Sequence, residues 1–391
     1  MNFLSTLPFF TQFSLFLVIS LVSSFIIFHV GKYLFLHFGL LDNPAPYGHK
    51  RKPVPFGIGS VLYLNFLFLS AFLYPILSDI NQSRLFIILV LGGIVTLVSF
   101  VDDLDTIYKF DRVSKSDIKK TAEELGNMRR STPFFVPAKV RLMMQIGVGA
   151  IIGITSIKIG YISNIFGGVL YLDQYYVILG SFQIYLIPLI FTIIWYVVVF
   201  NSVNWSDGVP GLTSGLSFVT LLVMTVLTIK LYLIDPSSPS QGNSVFVLFC
   251  LAIFIPSVLI GWLYNIRPQV LLGESGTMFT AFMIATLAII AGGKIATVAT
   301  VLGVYLIDAF YVILMRLYNK KNPLAGDRIH HLHYRLLNMG LSENFVRYFV
   351  YSLAFLFGMA AIFLDKVGKV ILFFVLIIIV VFITKILSLK K

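Results

Sequence analysis

The sequence predicts an all-α, polytopic integral membrane protein with about eleven transmembrane helices. Of its 391 residues, 58% are apolar and only 12% are charged, and the mean hydropathy is +0.93. Soluble globular domains average about 25% charged residues. A chain this apolar is expected to lie in a bilayer, which excludes the two or three soluble domains that its length alone would suggest.

Each predicted span is an apolar run long enough to cross the hydrocarbon core. A core of about 30 Å requires about 20 mostly apolar residues in a helix. No Lys or Arg precedes the first run, which is also too long for a cleavable signal peptide, so it counts as a span. The eleven runs lie near residues 10–37, 54–77, 84–101, 138–157, 184–201, 211–233, 244–264, 276–292, 295–315, 346–364 and 367–388.

The positive charges predict the orientation, because cytoplasmic loops carry an excess of Lys and Arg. With the N-terminus outside, twenty-three of the twenty-nine Lys and Arg residues fall on the cytoplasmic side. The odd number of spans then places the C-terminus in the cytoplasm. The net charge of +12 is therefore attributed to topology and to attraction for anionic lipid, and not to nucleic-acid binding.

No internal repeat or linker divides the chain, so residues 1–391 are interpreted as one transmembrane domain. Two longer loops fall on the cytoplasmic side: a charged loop at 105–136 and a basic, His-rich loop at 317–344. Ser342 is expected to cap the helix of the tenth span. On the outside, residues 161–186 alternate weakly around a Gly-Gly pair, which favours a short β-hairpin.

The first polar cluster is FVDDLD, at the cytoplasmic end of the third span. Asp102 and Asp105 lie about one turn apart on one helix face, and Asp103 is rotated by about 100° from Asp102. Carboxylates this close repel one another unless a cation or a proton joins them, and acids are unfavourable at a helix C-terminus. The cluster predicts a bound cation, with a solvated helix end as the alternative.

The second cluster is NSVNWSDGVPGL, which follows the fifth span without a break. Asn201, Asn204 and Asp207 are spaced to form a stripe on one helix face. Their side chains offer the paired donors and acceptors that a nucleobase and a ribose require. Gly208 and Gly211 permit close approach of a ligand and precede a new helix, whose free N–H groups suit an anion. A polar turn between spans is the alternative.

The third cluster is RPQVLLGESGT, before the eighth span. Glu274, which lies between glycines with Ser275, can supply an oxygen ligand to a hard cation such as Mg²⁺. An acid in the first turn of a helix is an equally good interpretation.

The fourth cluster is GDRIHHLHYRLL, which holds half of the chain's six histidines. The histidines are His330, His331 and His333, and together with Arg328 they suit diphosphate binding through charge-assisted hydrogen bonds. The histidine spacing and the single cysteine, Cys250, do not favour a zinc site or a disulfide. A basic loop that lies on lipid headgroups is the alternative.

Taken in order, these segments resemble the polyprenyl-phosphate N-acetylhexosamine-1-phosphate transferase superfamily, glycosyltransferase family 4. The resemblance runs from about Asp42 to the histidine loop, through DNPAPYGHKRKPVPFGIG, FVDDLD, VPAKVRLMMQ, NSVNWSDGVPGL and NIRPQVLLGESGT. It implies transfer of a HexNAc-1-phosphate group from a UDP-sugar to undecaprenyl phosphate in the inner (plasma) membrane, with release of UMP. It also implies Mg²⁺ as cofactor, with Mn²⁺ as the alternative ion, and leaves a homodimer open.

The resemblance also implies roles for individual residues. Asp102, Asp103 and Asp105 are expected to be catalytic, and Asp102, Asp103 and Glu274 are expected to bind the metal. Whether Asp102 acts as a base, a metal ligand or a covalent nucleophile stays open. The expected substrate-binding residues are His49, Lys52, Asn201, Asn204, Asp207, Gly208, Gly211, Asn265, Arg328, His330, His331 and His333.

The histidine loop and the eleven spans are more similar to the branch that transfers GlcNAc-1-phosphate, in the first membrane step of cell-envelope polysaccharide synthesis. Phospho-N-acetylmuramoyl-pentapeptide transferase, whose loop reads APIHHHYE, is the nearer alternative. A secondary transporter is disfavoured, since no repeat is found and the polar clusters share one face. An inactive scaffold is the third interpretation, because Glu274 replaces the family's Asp and HHLHY departs from its HLHH.

Overall fold

The computed structural model describes residues 6–42, 52–111, 134–164, 167–180, 182–234, 238–292, 295–320 and 330–389. Thirteen α-helices are found in these residues. They are α1 (Phe9–His37), α2 (Ser60–Leu73), α3 (Asp79–Asp111), α4 (Ala138–Gly153), α5 (Leu186–Trp205), α6 (Leu212–Ile234), α7 (Ser238–Ile266), α8 (Gly273–Ile290), α9 (Ile295–Val301), α10 (Gly303–Tyr318), α11 (Leu332–Asn338), α12 (Glu343–Phe363) and α13 (Lys366–Leu389).

Every predicted span coincides with a helix or a helix pair, and the chain is a multi-pass membrane protein. Eight helices in the described residues are long and apolar enough to cross a membrane, namely α1, α3, α5, α6, α7, α8, α12 and α13. The pair α9 and α10 is bent by 76° and gives a ninth span if it is counted as one. The apolar helix α2 and the 16-residue α4 are shorter. Helix length therefore supports eight or nine spans, and the count of eleven stays a prediction.

Helix α3 continues beyond the three aspartates. The charged loop was expected to begin at residue 105, but α3 runs to Asp111. The turn after Asp105 buries the apolar side chain of Ile107, which favours continuation of the helix. Residues 112–133 of the predicted loop lie outside the described part of the chain.

Two antiparallel β-hairpins lie between α4 and α5. Strand β1 (Tyr161–Ser163) pairs with β2 (Val169–Tyr171), and β3 (Tyr176–Leu179) pairs with β4 (Phe182–Tyr185). The predicted hairpin is confirmed, but the segment forms two separate two-stranded sheets. The predicted all-α class therefore needs this small β addition.

Helix α12 begins as the sequence predicts. Ser342 is its N-cap, and the Ser342 side chain accepts a hydrogen bond from the backbone N–H of Phe345 at 3.2 Å. The cap satisfies one of the N–H groups that the first turn of a helix leaves unpaired.

The helices form two compact units. Unit 1 consists of Met1–Leu142 and Ala252–Thr280, and unit 2 consists of Met143–Leu251 and Ala281–Lys391. Each unit is therefore assembled from two separated stretches of the chain. The divisions fall within helices and not within linkers, so composition gives no sign of them.

A buried polar cluster joins α1, α2 and α7 in unit 1. The amide nitrogen of Asn65 donates to the hydroxyl oxygens of Ser24 (2.8 Å) and Ser257 (2.7 Å), which lie 2.8 Å from each other. Ser20 donates to the backbone carbonyl of Ile253 at 2.6 Å. Hydrogen bonds between helices stabilise packing where the surrounding lipid supplies no hydrophobic driving force.

In unit 2, two aromatic side chains of α5 form hydrogen bonds with residues of α8. Trp195 donates through Nε1 to the carbonyl oxygen of Ala285 at 3.1 Å, and the hydroxyls of Tyr196 and Thr286 lie 2.5 Å apart. All of these groups are buried, so the bonds form without competition from water. They fix the helix whose last turns carry Asn201 and Asn204.

Replacing Asn65 with Ala is expected to lower the thermal unfolding temperature of the protein in detergent. The change removes two interhelical hydrogen bonds, each contributing about 0.6 kcal/mol on average in membrane proteins, so we expect a loss of about 1 kcal/mol. The control is Ser23→Ala, because Ser23 donates to the carbonyl oxygen of Ser20 within its own helix. An Asn65→Ala protein as stable as the wild type would show that the cluster does not stabilise unit 1.

Candidate active site

The three aspartates of α3 are buried in unit 1. The exposed fractions of Asp102, Asp103 and Asp105 are 2%, 1% and 0%. An ionised carboxylate that is removed from water is costly unless it is paired or hydrogen-bonded. The partners of these aspartates therefore define the candidate site.

Arg141, in the first turn of α4, bridges Asp102 and Glu274. Its Nη1 lies 2.7 and 2.8 Å from the two carboxylate oxygens of Glu274 and 3.3 Å from Oδ2 of Asp102. The Asp102 side chain is 3% exposed, that of Glu274 12% and that of Arg141 26%. This group, here called the acidic cluster, brings together the FVDDLD, VPAKVR and GESGT segments.

Asp103 caps the N-terminus of α8 from another helix. Its Oδ1 accepts the backbone N–H of Glu274 (2.6 Å), and its Oδ2 accepts that of Ser275 (3.0 Å). The first N–H groups of a helix have no intrahelical partner, and a carboxylate there also interacts favourably with the helix dipole. Gly273 permits this arrangement, because its φ is +73° and a Cβ would lie 2.6 Å from Oδ1 of Asp103.

The acidic cluster fits a Mg²⁺ ion through Asp102 and Glu274, two of the three metal ligands that the resemblance implies. Among the described residues, no group of three or more His, Cys, Asp or Glu is arranged to hold a metal. Both oxygens of Asp103 already accept backbone N–H groups, whereas Asp102 and Glu274 converge on one cationic nitrogen. Mg²⁺ usually takes one or two protein carboxylates and completes its shell with water and substrate phosphates. Two carboxylates are therefore sufficient.

The remaining unit 1 residues expected to bind substrate are placed differently. Asn265 is buried and donates to the carbonyl oxygen of Val270 at 3.1 Å, across the turn that leads into α8. Lys52 is exposed on the segment before α2. His49 lies outside the described residues. The structure thus places Asn265 where it holds the backbone before Glu274.

In unit 2, the predicted helical stripe is interrupted. Asn201 and Asn204 lie on α5, but the helix ends at Trp205, and Asp207 is exposed in the turn that follows. The hydroxyl of Ser206 donates to the carbonyl oxygen of Val203 at 2.6 Å, which closes the helix there. The expectation that all three polar residues share one helix face is therefore wrong for Asp207.

Asn201 is also used in packing within unit 2. Its amide nitrogen donates to Oε1 of Gln145 on α4 (2.7 Å) and to the carbonyl oxygen of Val197 (2.8 Å). Asn204, one turn later, is half-buried. Of the two asparagines, Asn204 lies nearer the turn that follows α5.

Gly208 is the point at which the histidine loop meets this turn. A Cβ on Gly208 would lie only 2.1 Å from Nε2 of His333, so any larger residue there would force the imidazole to move. The sequence predicts close approach of a ligand at Gly208, and the structure places His333 there. Gly211, at the end of the turn, directly precedes α6, so the predicted new helix is confirmed.

His333 is a buried histidine whose ring nitrogens have no partner among the residues that the structure describes. It is 1% exposed, and neither ring nitrogen makes a hydrogen bond within the described residues. Burial and the neighbouring His331 lower the pKa of His333 to about 3, so the ring is neutral at physiological pH. A buried polar group without a hydrogen bond is destabilising, and a ligand would remove that penalty.

His331 is oriented by a carboxylate that sequence reasoning missed. Its Nδ1 lies 2.8 Å from Oδ2 of Asp308, and Oδ1 of Asp308 accepts the backbone N–H of Leu332 at 2.8 Å. Because an ionised carboxylate only accepts, Nδ1 carries the proton and Nε2 is left to interact with a ligand. Asp308 lies within the apolar α10, and an acid in such a helix is itself a signal of function.

Two residues of α12 bond the C-terminal end of the turn that follows α5. Sequence reasoning did not predict these contacts. Arg347 donates through Nη1 to the carbonyl oxygen of Pro210 at 2.5 Å, and the hydroxyl of Tyr351 donates to that of Gly211. His330 is half-buried, and Arg328 lies outside the described residues.

Known proteins similar to this chain carry related names. A probable undecaprenyl-phosphate N-acetylglucosaminyl 1-phosphate transferase of Bacillus subtilis is 27% identical over 252 residues, 63% of this chain and 64% of the relative. A phospho-N-acetylmuramoyl-pentapeptide-transferase of Staphylococcus carnosus is 24% identical over 260 residues, 66% of this chain and 69% of the relative. A phospho-N-acetylmuramoyl-pentapeptide-transferase of Chlorobium phaeobacteroides is 23% identical over 336 residues, 81% of this chain and 82% of the relative.

The matched stretch covers 64% of the Bacillus subtilis relative, slightly under two thirds of its length. The family model described as "Glycosyl transferase family 4" matches residues 85–292, which is more than half of the 391 residues. The matched range contains the α3 aspartates, Arg141, Glu274 and the turn around Gly208. The chain therefore belongs to glycosyl transferase family 4.

Proposed function

We propose that this protein transfers GlcNAc-1-phosphate from a UDP-sugar to undecaprenyl phosphate and releases UMP, in the first membrane step of cell-envelope polysaccharide synthesis. The observation that carries the proposal is the acidic cluster, in which Arg141, Asp102 and Glu274 join three family-like segments at one partly buried point. The name of the Bacillus subtilis relative, with the highest identity of the three, supports the donor sugar and the acceptor.

In the proposed reaction, an oxygen of the lipid phosphate attacks the β-phosphorus of the donor. A new P–O bond forms, the bond from the β-phosphorus to the bridging oxygen breaks, and UMP leaves with that oxygen. The second pKa of a phosphate monoester is about 6, so the acceptor is mostly ionised near pH 7. Because the acceptor phosphate is already mostly deprotonated, the reaction has little need of Asp102 as a base. Positioning and electrostatics supply most of the catalysis.

The carboxylates of unit 1 would hold the metal in place. Asp102 and Glu274 are the ligands we propose for Mg²⁺, which neutralises the diphosphate and stabilises the leaving phosphate. Asp103 acts as a positioning residue, because its cap on α8 fixes the turn from which Glu274 projects. The buried Asp105 lies one turn from Asp102 on α3 and adds to the negative potential.

In unit 2, we assign the turn after α5 to the uridine and the histidine loop to the phosphate or the sugar. Asn204 and Asp207 supply polar contacts. The neutral His333 offers one donor and one acceptor, and Asp308 keeps Nε2 of His331 directed to a ligand. A positive charge for the phosphate would come from Arg328, as the family resemblance implies.

The proposal includes the orientation given by the positive charges. The N-terminus is assigned to the outside of the plasma membrane and the C-terminus to the cytoplasm. Both clusters then face the cytoplasm, where nucleotide sugars are available. Residues 1–391 act as a single transferase domain in this proposal, although they fold as two compact units.

A second candidate is phospho-N-acetylmuramoyl-pentapeptide transferase. It is favoured by the Chlorobium phaeobacteroides relative, which matches 81% of this chain. The two functions differ in the donor, so UDP-GlcNAc and UDP-N-acetylmuramoyl-pentapeptide tested side by side with undecaprenyl phosphate distinguish them.

The purified protein is expected to release UMP from UDP-GlcNAc only when undecaprenyl phosphate and Mg²⁺ are present. Asp102→Asn and Glu274→Gln should each lower this rate at least about a hundredfold, because each removes charge that the transition state needs. Asp79→Asn, which neutralises an exposed acid at the start of the same helix, is the control. If the protein releases no UMP with either donor, the interpretation as an inactive scaffold is favoured. A near wild-type rate in Asp102→Asn or Glu274→Gln would show that the substituted residue is not part of the active site.

Binding of UDP is expected to weaken in Asn204→Ala. Loss of one hydrogen bond to a buried polar ligand group costs about 1 to 3 kcal/mol, so Kd should rise about 5- to 150-fold. Calorimetry on the detergent-solubilised protein measures this, with Asn319→Ala as a control, since Asn319 bonds its own helix on the surface. If Asn204→Ala and Asp207→Asn both keep wild-type affinity, the segment is a polar turn without a nucleotide role.

Acid is expected to destabilise the protein through His333. Its pKa is about 3 in the folded protein and about 6.5 in the unfolded chain, so between these values the unfolded state binds more protons and stability falls as pH falls. From pH 7.5 to pH 5 the loss is about 2 kcal/mol. His333→Gln should lack this component of the pH dependence of the unfolding temperature, whereas exposed His37→Gln should retain it. An unchanged acid sensitivity in His333→Gln would contradict the assignment.

A further inference from the structure

One nitrogen of Arg141 lies among the oxygens of the two carboxylates that we propose as metal ligands. Arg–carboxylate pairs commonly use two nitrogens in a fork against the two carboxylate oxygens. Here one nitrogen, Nη1, contacts both oxygens of Glu274 at 2.7 and 2.8 Å. A single cationic nitrogen therefore lies between the two carboxylate oxygens, at hydrogen-bond distance from each.

The second carboxylate completes this arrangement. Oδ2 of Asp102 lies 3.3 Å from the same nitrogen, so oxygens from α3 and α8 face one cationic point. Two largely buried carboxylates repel each other unless a cation or a proton lies between them. Arg141 supplies one positive charge, and a divalent cation at that point would supply two.

The position of Arg141 permits it to leave. Its side chain is 26% exposed, while those of Glu274 and Asp102 are only 12% and 3% exposed. A long arginine side chain at the start of a helix can turn its charged end into water while its stem stays packed. The carboxylates can therefore remain in place when Arg141 moves.

We propose that Arg141 is a built-in cation that occupies the acidic cluster in the metal-free protein and is displaced when a divalent cation binds. The inference rests on the proposed function only in taking the acidic cluster as the metal site. The guanidinium and the ion compete for the same oxygens, so Arg141 weakens metal binding while offsetting part of the negative charge of the metal-free cluster.

The direct test is Mn²⁺ binding to the purified full chain at pH 8 without substrate, followed by the loss of the free Mn²⁺ electron paramagnetic resonance signal. Arg141→Gln is expected to bind Mn²⁺ at least about tenfold more tightly than wild type, because the competing charge is gone. Arg141→Lys should lie between the two, since it keeps the charge without the planar guanidinium. Lys139→Gln removes an equal charge from an exposed position of the same helix and should leave the affinity unchanged.

A second measurement uses the unaltered protein and so does not depend on folding of the variants. Labelling of Arg141 by phenylglyoxal, quantified by mass spectrometry of the peptides, should increase when Mg²⁺ is added, because the ion releases the guanidinium. Labelling that stays constant or falls with Mg²⁺ would overturn the proposal. So would equal Mn²⁺ affinity in wild type and Arg141→Gln, or no Mn²⁺ binding by either protein.

These outcomes are separable from failure of the proposed function. Tighter Mn²⁺ binding by Arg141→Gln, together with no UMP release from any donor, would leave the competition standing and remove the transferase. Normal UMP release by the wild type, together with an unchanged Mn²⁺ affinity in Arg141→Gln, would support the transferase and contradict the competition.

Discussion

Unit 1 depends on the need to pair the buried carboxylates of α3. A carboxylate removed from water must find hydrogen-bond donors or a cation, and the three aspartates of α3 are almost wholly inaccessible. Asp103 meets this need with two backbone N–H groups of α8, and Asp102 meets it through Arg141. The same bonds set where α8 begins, and hence where Glu274 projects.

The equivalent constraint in unit 2 is the packing of an imidazole against a backbone. His333 lies so close to Gly208 that a side chain on residue 208 would displace the imidazole. Arg347 and Tyr351 of α12 donate hydrogen bonds to the backbone carbonyls of Pro210 and Gly211. Asp308 of α10 binds the ring of the neighbouring His331. The turn is thus fixed from several helices, yet the nitrogens of His333 have no partner within the described residues. A fixed but unsatisfied polar group is a feature of a binding site.

Glu274 illustrates how one departure from a family pattern can be matched by another residue. The side chain is one methylene longer than the expected aspartate, and its carboxylate reaches the guanidinium of Arg141. The metal proposal names Asp102 and Glu274 as ligands, and the oxygens of Asp103 each accept one backbone N–H of α8. Mg²⁺ tolerates such a sparse protein shell, since substrate phosphates and water complete its coordination.

The sequence by itself determined the membrane class, the positions of the helices, the cap at Ser342 and the segments that carry polar chemistry. These features depend on composition and on spacings of a few residues, so they can be recognised without knowledge of the tertiary contacts. Only the tertiary structure decided that Asp103 caps α8, that Arg141 bridges Asp102 and Glu274, and that His333 packs on Gly208. The physical reason is that each of these contacts joins residues far apart in the chain, and their partners are selected by burial and hydrogen bonding within each unit.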